Sequence, residues 1–205
     1  MSVIERPRLT VSPLTAAVLA LFVVLSSPVL LAALLAAAAL HEGAHWAALR
    51  CFGGRISRVR ISPFGAEMEI ADTMSLSYGA EMAVTLAGPA VNLLLAGLLG
   101  VLGRRWPEAY VYAGTQLVLG AFNLLPARPL DGGRFLWLLV ARLTEPYTAD
   151  RVSGTVSLAV CAALTVLGAM LVSRRGGSPF LLVGALGLLA AAMREKGLVK
   201  RAAAR

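Results

Sequence analysis

The chain has 205 residues, of which 58% are hydrophobic and 15% are charged, and its mean hydropathy is +0.77. A soluble domain carries about 25% charged residues and less than half apolar ones, so the composition excludes an ordinary soluble domain and indicates a membrane protein. The net charge of +8 comes from short Lys and Arg clusters between apolar runs, a pattern typical of helix ends anchored at lipid headgroups. We therefore expect a surrounding lipid bilayer and no nucleic-acid partner.

Six segments approach the roughly 20 apolar residues that a membrane-spanning helix needs. In chain order they are residues 9–26, 29–49, 79–102, 109–125, 152–172 and 179–193. The first has no small-residue cleavage site before Pro28, so we expect it to be a retained helix and not a signal peptide. A further apolar piece, residues 135–143, is too short to cross and is expected at the interface. The sequence thus predicts an all-α polytopic membrane protein in which residues 1–205 form one domain.

The basic residues predict how these helices are oriented. If the N-terminus is cytoplasmic, fifteen of the 19 Lys and Arg residues lie on the cytoplasmic side. The remaining four lie on the other side and are Arg104, Arg105, Arg174 and Arg175. Because cytoplasmic loops carry an excess of Lys and Arg, both termini are expected in the cytoplasm.

The segment between the second and third predicted helices, residues 54–71, lacks a helical pattern. Apolar and polar residues alternate over residues 58–62 and 67–70, and the intervening Pro-Phe-Gly-Ala can turn the chain. Strict alternation on both sides of a turn favours paired strands. We expect a small membrane-associated β-hairpin here, and the alternative is an irregular amphipathic loop on the membrane surface.

Two histidines lie four residues apart in the second predicted helix, and Glu42 directly follows the first of them, His41. Residues at i and i+4 share a helix face, so His41 and His45 can bind one zinc ion while Glu42 reaches its water. His41 lies nine residues before Arg50, or about 13 Å along a helix. Ionisable groups at such depth in a membrane are costly and mark functional sites. The pattern predicts an intramembrane zinc site with Glu42 as general base.

A catalytic zinc usually takes three protein ligands, so a third residue is needed. Most acidic residues other than Glu42, with Asp150 among them, flank predicted helices, where a solvated surface charge is expected. Asp131 differs because prolines precede it and two glycines follow it, and broken backbone near membrane depth is tolerated where it lines a cavity. A simple turn is the alternative. Arg128 and Arg134 are expected to anchor this loop to lipid headgroups or to pair with acidic residues. Assistance to an oxyanion is the less favoured alternative.

Together these motifs resemble the site-2 protease family of intramembrane zinc metalloproteases, within its bacterial branch typified by the stage IV sporulation protease. The resemblance covers about residues 30–145, which is therefore the expected zinc-binding core. It rests on four motifs in order: residues 41–45, the Ser-Pro-Phe-Gly of 62–65, the Ala-Gly-Pro-Ala-Val-Asn of 87–92, and residues 123–133. Their joint occurrence is far more specific than any one of them.

The resemblance implies hydrolysis of peptide bonds in membrane-spanning or membrane-associated protein substrates, with room for a membrane regulator. It implies a multi-pass protein of the bacterial cell membrane with one catalytic zinc ion. The implied site residues are the zinc ligands His41, His45 and Asp131, the general base Glu42, and the substrate-binding candidates Asn92 and Asn123. Members of the sporulation branch often carry a C-terminal CBS domain, which residues 194–205 are too short to form, so none is expected here.

Two other functions fit the same motifs. One is a six-helix metal-binding transporter, in which the histidines bind the transported ion, although transporters often show inverted repeats and none is evident here. The other is a catalytically inactive regulatory relative, although such proteins often lose the general base and Glu42 is intact.

Overall fold

The computed structural model describes residues 8–11, 27–54, 56–62, 65–70, 76–175 and 179–203. Within them the helices are α1 (Pro28–Cys51), α2 (Tyr78–Leu102), α3 (Ala109–Asn123), α4 (Asp131–Leu143), α5 (Pro146–Arg175) and α6 (Pro179–Ala203). The strands are β1 (Arg8–Val11), β2 (Ile56–Ser62) and β3 (Gly65–Ile70). Contacts divide the chain into two compact units, Met1–Asn123 and Leu124–Arg205, and a single domain over residues 1–205 stays a prediction.

Among the described residues, three helices are long and apolar enough to cross a membrane, namely α1, α2 and the Pro146–Arg174 part of α5. Their outer faces are apolar, as at Leu94, which is 74% exposed. With 15 residues, α3 covers about 22 Å, which is less than the roughly 30 Å hydrocarbon core. The described apolar stretch of α6, Leu182–Arg194, is also short. The fold is that of an integral-membrane protein, and the count of six membrane-spanning helices stays a prediction.

The prediction that a membrane helix starts at residue 9 is wrong. Arg8–Val11 form β1, which pairs in parallel with β2, and Leu9 lies opposite Val59. Thr10 and Val11 are β-branched and suit a strand, and the pairing satisfies backbone hydrogen-bonding groups along the second side of β2. The rest of that predicted helix, residues 12–26, lies outside the described residues.

Strands β2 and β3 pair antiparallel at the place where the sequence predicts a hairpin. Val59 lies opposite Met68, and the register shifts between Ile56 and Arg58, an irregularity that bends a strand. Among the described strands the order is β1-β2-β3, so β2 is central and β3 lies at an edge. The association of this sheet with the membrane stays a prediction.

In the first unit, α1, α2 and α3 pack on one another through small residues. Ala33 and Ala37 of α1 are 1% and 0% exposed. Gly120 of α3 lies so close to α2 that a Cβ there would be 3.0 Å from the Cβ of Asn92. Small residues let helix backbones approach each other inside a membrane. This close approach brings Asn92 of α2 up to His41 of α1, and Gln116 of α3 up to Asn92.

In the second unit, α5 packs against both α4 and α6. One face of α5 is buried at intervals of four residues, and this face carries Ala149, Ser153, Ser157 and Cys161. Two of these four are serines, whose hydroxyls need hydrogen-bond partners when they are buried. The serines accept hydrogen bonds from the loop that leads into α4.

Candidate metal centre

Helix α1 carries the two histidines. It begins after Ser27, whose Oγ caps the first turn. It continues through a run of alanines, the residue type with the highest helix propensity. His41 and His45 therefore lie one turn apart on the same helix face. His41 is 5% exposed, and Glu42 and His45 are half-buried. The i and i+4 geometry predicted from the sequence is present.

The imidazoles of His41 and His45 meet through their Nε2 atoms, which are 3.1 Å apart. The two rings are nearly perpendicular, at 84°, with centroids 4.7 Å apart. Two imidazoles that bind one tetrahedral zinc ion at about 2.0–2.1 Å have nitrogen atoms roughly 3.3 Å apart. The observed separation therefore fits two ligands that share one ion.

Asn92 of α2 fixes the tautomer of His41. Its Nδ2 donates to the backbone oxygen of Ala37 at 3.2 Å and to Oε1 of Gln116. This leaves the Oδ1 of Asn92 facing Nδ1 of His41 at 2.5 Å. Because an amide oxygen can only accept, His41 Nδ1 carries the proton and Nε2 keeps its lone pair. Asn92 and Gln116 are 0% and 3% exposed, so these hydrogen bonds are buried between the helices.

A backbone carbonyl fixes the tautomer of His45. Its Nδ1–H donates to the oxygen of Val84 at 2.8 Å, so Nε2 again keeps its lone pair. Hydrogen bonds of this kind orient the histidines of most protein metal sites.

In the neutral imidazoles both Nε2 atoms present a lone pair to the same point, so the donor set fits a metal ion. Asp131, the third ligand predicted from the sequence, lies at the start of α4 in the second unit. Two neutral imidazoles and one carboxylate suit zinc and leave a coordination position for water. These residues could therefore hold a catalytic zinc ion.

Asp131 is the first residue of α4, and two glycines follow it for a steric reason. A Cβ on Gly132 would lie 2.6 Å from the oxygen of Leu125, and a Cβ on Gly133 would lie 2.6 Å from the nitrogen of Arg128. The start of α4 thus rests directly on the backbone of the preceding loop. A carboxylate in the first turn of a helix is also stabilised by the helix dipole.

The two asparagines predicted to bind substrate differ in their surroundings. Asn92 is fully buried and hydrogen bonds to His41, and its role toward substrate stays a prediction. Asn123 is the last residue of α3, is 9% exposed, and donates from Nδ2 to the oxygen of Leu119 at 3.0 Å. Its role toward substrate stays a prediction.

The sequence prediction gave no role to two residues of the site, Gln116 and Gly88. Gln116 is an uncharged polar residue in an apolar helix, and this alone could have marked it, because intramembrane polar groups usually have a partner. Gly88 belongs to a motif that was recognised, but its function follows only from the packing of α1 against α2. A Cβ on Gly88 would lie 2.8 Å from Cε1 of His41 and closer still to Nε2 of His45.

Replacing Gly88 with Ala is expected to weaken zinc binding by about tenfold or more, the range found when groups supporting a metal ligand are altered. The added methyl group displaces both imidazoles from the positions that their Nδ1 hydrogen bonds set. Competition with a chromophoric zinc chelator measures the change. Gly97→Ala on the same helix is the matched control, because no described atom lies within 4 Å of a Cβ built there. Equal zinc affinity in the two variants would contradict this steric role.

The segment that carries the two histidines is similar to a known protein family. Residues 29–105 match peptidase family M50. Over 131 residues the chain is 32% identical to the stage IV sporulation protein FB of Bacillus subtilis. The aligned region covers 61% of this chain and 45% of that protein. Over 136 residues it is 24% identical to a zinc metalloprotease of Methanocaldococcus jannaschii, with coverages of 63% and 39%. The chain thus spans less than half the length of these two relatives.

A solved structure extends the likeness of the fold beyond the matched segment. The site-2 protease from Methanocaldococcus jannaschii superposes with a TM-score of 0.68 over 95% of this chain and 94% of that chain, at 21% identity. The family match includes both histidines, Glu42, Gly88 and Asn92. Over residues 29–105 the chain is therefore similar to peptidase family M50.

Proposed function

We propose that this protein is an intramembrane zinc metalloprotease that hydrolyses peptide bonds of membrane-embedded or membrane-associated proteins. The observation that carries the proposal is the pair of Nε2 lone pairs, 3.1 Å apart, one residue away from the carboxylate of Glu42 in an apolar helix. A site that only transported an ion would need the two imidazoles but not the adjacent carboxylate. The similarity to a zinc metalloprotease of Methanocaldococcus jannaschii supports the same activity.

The depth of the site supports cleavage within the membrane. His41 lies inside α1, a 24-residue helix that is long and apolar enough to span a bilayer. Arg50, near the end of α1, has its guanidinium 6.0 Å from the Trp46 ring centroid, and Arg and Trp side chains are typical of the membrane interface. We propose that this end of α1 is cytoplasmic and that both termini are cytoplasmic, with six helices in the membrane, as the distribution of basic residues favours.

We propose that His41, His45 and Asp131 hold the zinc and that Glu42 acts as general base. Bound zinc would polarise the substrate carbonyl and lower the pKa of water toward about 7. Glu42 would accept a proton from the water whose oxygen bonds to the carbonyl carbon. As the C–N bond breaks, the same carboxyl would give that proton to the leaving nitrogen. Asn92 and Val84 would keep both imidazoles in place throughout.

Reconstitution tests the activity directly. The purified protein in liposomes, together with a panel of single-span protein substrates, is expected to cut at least one of them. Chelation should stop cleavage and added zinc should restore it. A wild-type protein that binds zinc but cuts no member of the panel would favour the transporter or the inactive regulator over the protease.

The edge of the sheet offers a place for an unwound substrate. A membrane helix hides its peptide bonds in internal hydrogen bonds, so the cleaved segment must be extended, and an extended segment can add to an exposed strand. Among the described strands β3 forms such an edge. We propose that substrate pairs with it.

Proline substitution at neighbouring positions of β3 tests this pairing. Successive N–H groups of an edge strand point alternately toward the neighbouring strand and away from it. Of Glu67→Pro and Met68→Pro, the one that removes the outward N–H is expected to slow cleavage severalfold and leave zinc binding unchanged. Cleavage rates are measured on the same single-span substrate. Wild-type rates in both variants would argue against strand addition at β3.

A further inference from the structure

A polar network in the second unit surrounds the start of α4, where Asp131 lies. Its centre is the ion pair between Nη2 of Arg128 and Oδ1 of Asp150, at 2.5 Å, with the two side chains 14% and 32% exposed. The same Asp150 oxygen accepts a hydrogen bond from Nε1 of Trp137 at 2.9 Å. Asp150 was expected to be a solvated surface charge, and this expectation is wrong. The prediction that Arg128 pairs with an acidic residue is confirmed.

The network also fixes the backbone of the loop. The N–H of Arg128 donates to Oγ of Ser157 at 3.0 Å. Its guanidinium reaches Oγ of Ser153 from both Nε, at 3.3 Å, and Nη2, at 3.0 Å. Ser153 and Ser157 are 1% and 0% exposed, so these bonds lie inside the protein. The loop is thereby attached to α5 through both its main chain and its side chain.

One carboxylate thus holds the chain on both sides of Asp131. Arg128 lies three residues before Asp131, and Trp137 lies six residues after it on α4. Because both bind the same oxygen of Asp150, the loop and the helix cannot shift independently about Asp131. Gly132 and Gly133 also lie directly against the backbone of the loop, so the loop and the start of α4 are in close contact. A ligand that must hold its geometry within a fraction of an ångström needs this kind of support.

We infer that Asp150, with Arg128 and Ser157, is a positioning residue for Asp131, so that zinc affinity and turnover depend on side chains of α5. This inference rests on the proposed function, because it assigns the network to the third ligand of that site. The network lies outside residues 29–105, the segment that matches the family.

The test compares Asp150→Asn, Asp150→Glu and Ser157→Ala with the wild type in liposomes. Asp150→Asn keeps the shape of the side chain but removes its charge, so we expect zinc affinity to fall about 10–100-fold. The kcat should fall with it while KM stays near the wild-type value, because the substrate surface is unchanged. Excess zinc should restore part of the kcat. Asp150→Glu, which keeps the charge, should retain more zinc affinity than Asp150→Asn.

Two control variants separate positioning from general stability. Arg151→Gln changes the neighbouring exposed arginine, whose guanidinium lies 6.0 Å from the Tyr147 ring centroid, and Ser173→Ala removes a hydroxyl on the same helix that bonds only locally to Ala169 among the described contacts. Both are expected to match the wild type in zinc affinity and kcat.

Wild-type zinc affinity and kcat in Asp150→Asn would overturn the inference, and so would losses that follow the melting temperature and are equal in Asp150→Glu. If instead the wild type itself binds no zinc or cuts nothing, the proposed function fails first, and the positioning role fails with it. The wild-type measurement therefore tells the two failures apart.

Discussion

Replacing Glu42 with Gln is expected to leave zinc bound and to lower the rate of peptide cleavage by about 10²–10⁴-fold, the usual contribution of a general base. The amide has the size and shape of the carboxylate, but it cannot accept a proton from the attacking water. The proposed zinc ligands His41 and His45 are untouched, so the zinc content should stay at one ion per chain. Atomic emission gives the zinc content, and cleavage of a single-span substrate gives the rate.

The matched control is Glu108→Gln, which makes the same chemical change at an exposed position between α2 and α3. It should cleave like the wild type. Cleavage that survives Glu42→Gln would remove Glu42 as the base. Loss of zinc from the Glu42 variant would instead mean that its carboxylate helps to bind the ion.

Changing His41, His45 and Asp131 together to Ala is expected to remove zinc below detection and abolish cleavage. No pair of ligands remains to hold the ion, whereas single substitutions should lower zinc affinity by degrees. Circular dichroism should show the same helix content as in the wild type, because α1 gains two residues of high helix propensity. Zinc content per chain is the deciding measurement.

A triple control variant replaces the exposed residues Glu108, Glu145 and Tyr147 with Ala. It carries the same number of changes outside the site and should keep both zinc and activity. Zinc retained by the variant that lacks His41, His45 and Asp131 would show that the metal is held elsewhere in the chain.

The part of the site that depends on a single helix could be predicted from the sequence. The spacing of His41 and His45 sets their common face by helix geometry alone, and the structure shows their Nε2 atoms together. Asp131 was found through the prolines and glycines around it, because a break in an apolar segment is visible in the sequence itself. Its identification as a ligand also needed the resemblance to the family.

The parts that depend on packing between helices could not be predicted. Nothing local to α2 or α3 says that Gln116 will meet Asn92, or that the Val84 carbonyl will face His45. Asp150 has the flanking sequence of an interfacial charge, and only the approach of the loop to α5 turns it into the partner of Arg128. Such pairings depend on the register of one helix against another, which hydrophobic periodicity does not fix.

Strand β1 also depends on a distant partner and could not be predicted from its local sequence. The apolar run that begins at residue 9 satisfies the length rule for a membrane helix, but Arg8–Val11 pair with β2. Residues 8–11 form a strand because they pair with residues about 50 positions later in the sequence, although the local apolar pattern favoured a helix. Helix α3 was predicted correctly as an apolar helix. Its 15 residues are fewer than the predicted membrane-spanning segment.

X-ray absorption at the zinc edge of the purified wild-type protein tests the central claim most directly, because it reports the atoms bound to the metal. We expect a four-coordinate ion with two imidazole nitrogens at about 2.0–2.1 Å, a carboxylate oxygen at about 2.0–2.2 Å, and a further light atom from solvent. The His41 and His45 imidazoles should contribute the outer-shell scattering of two rings. A sulfur shell at about 2.3 Å, as expected if Cys51 or Cys161 held the ion, or a spectrum without two imidazoles, would contradict the assignment.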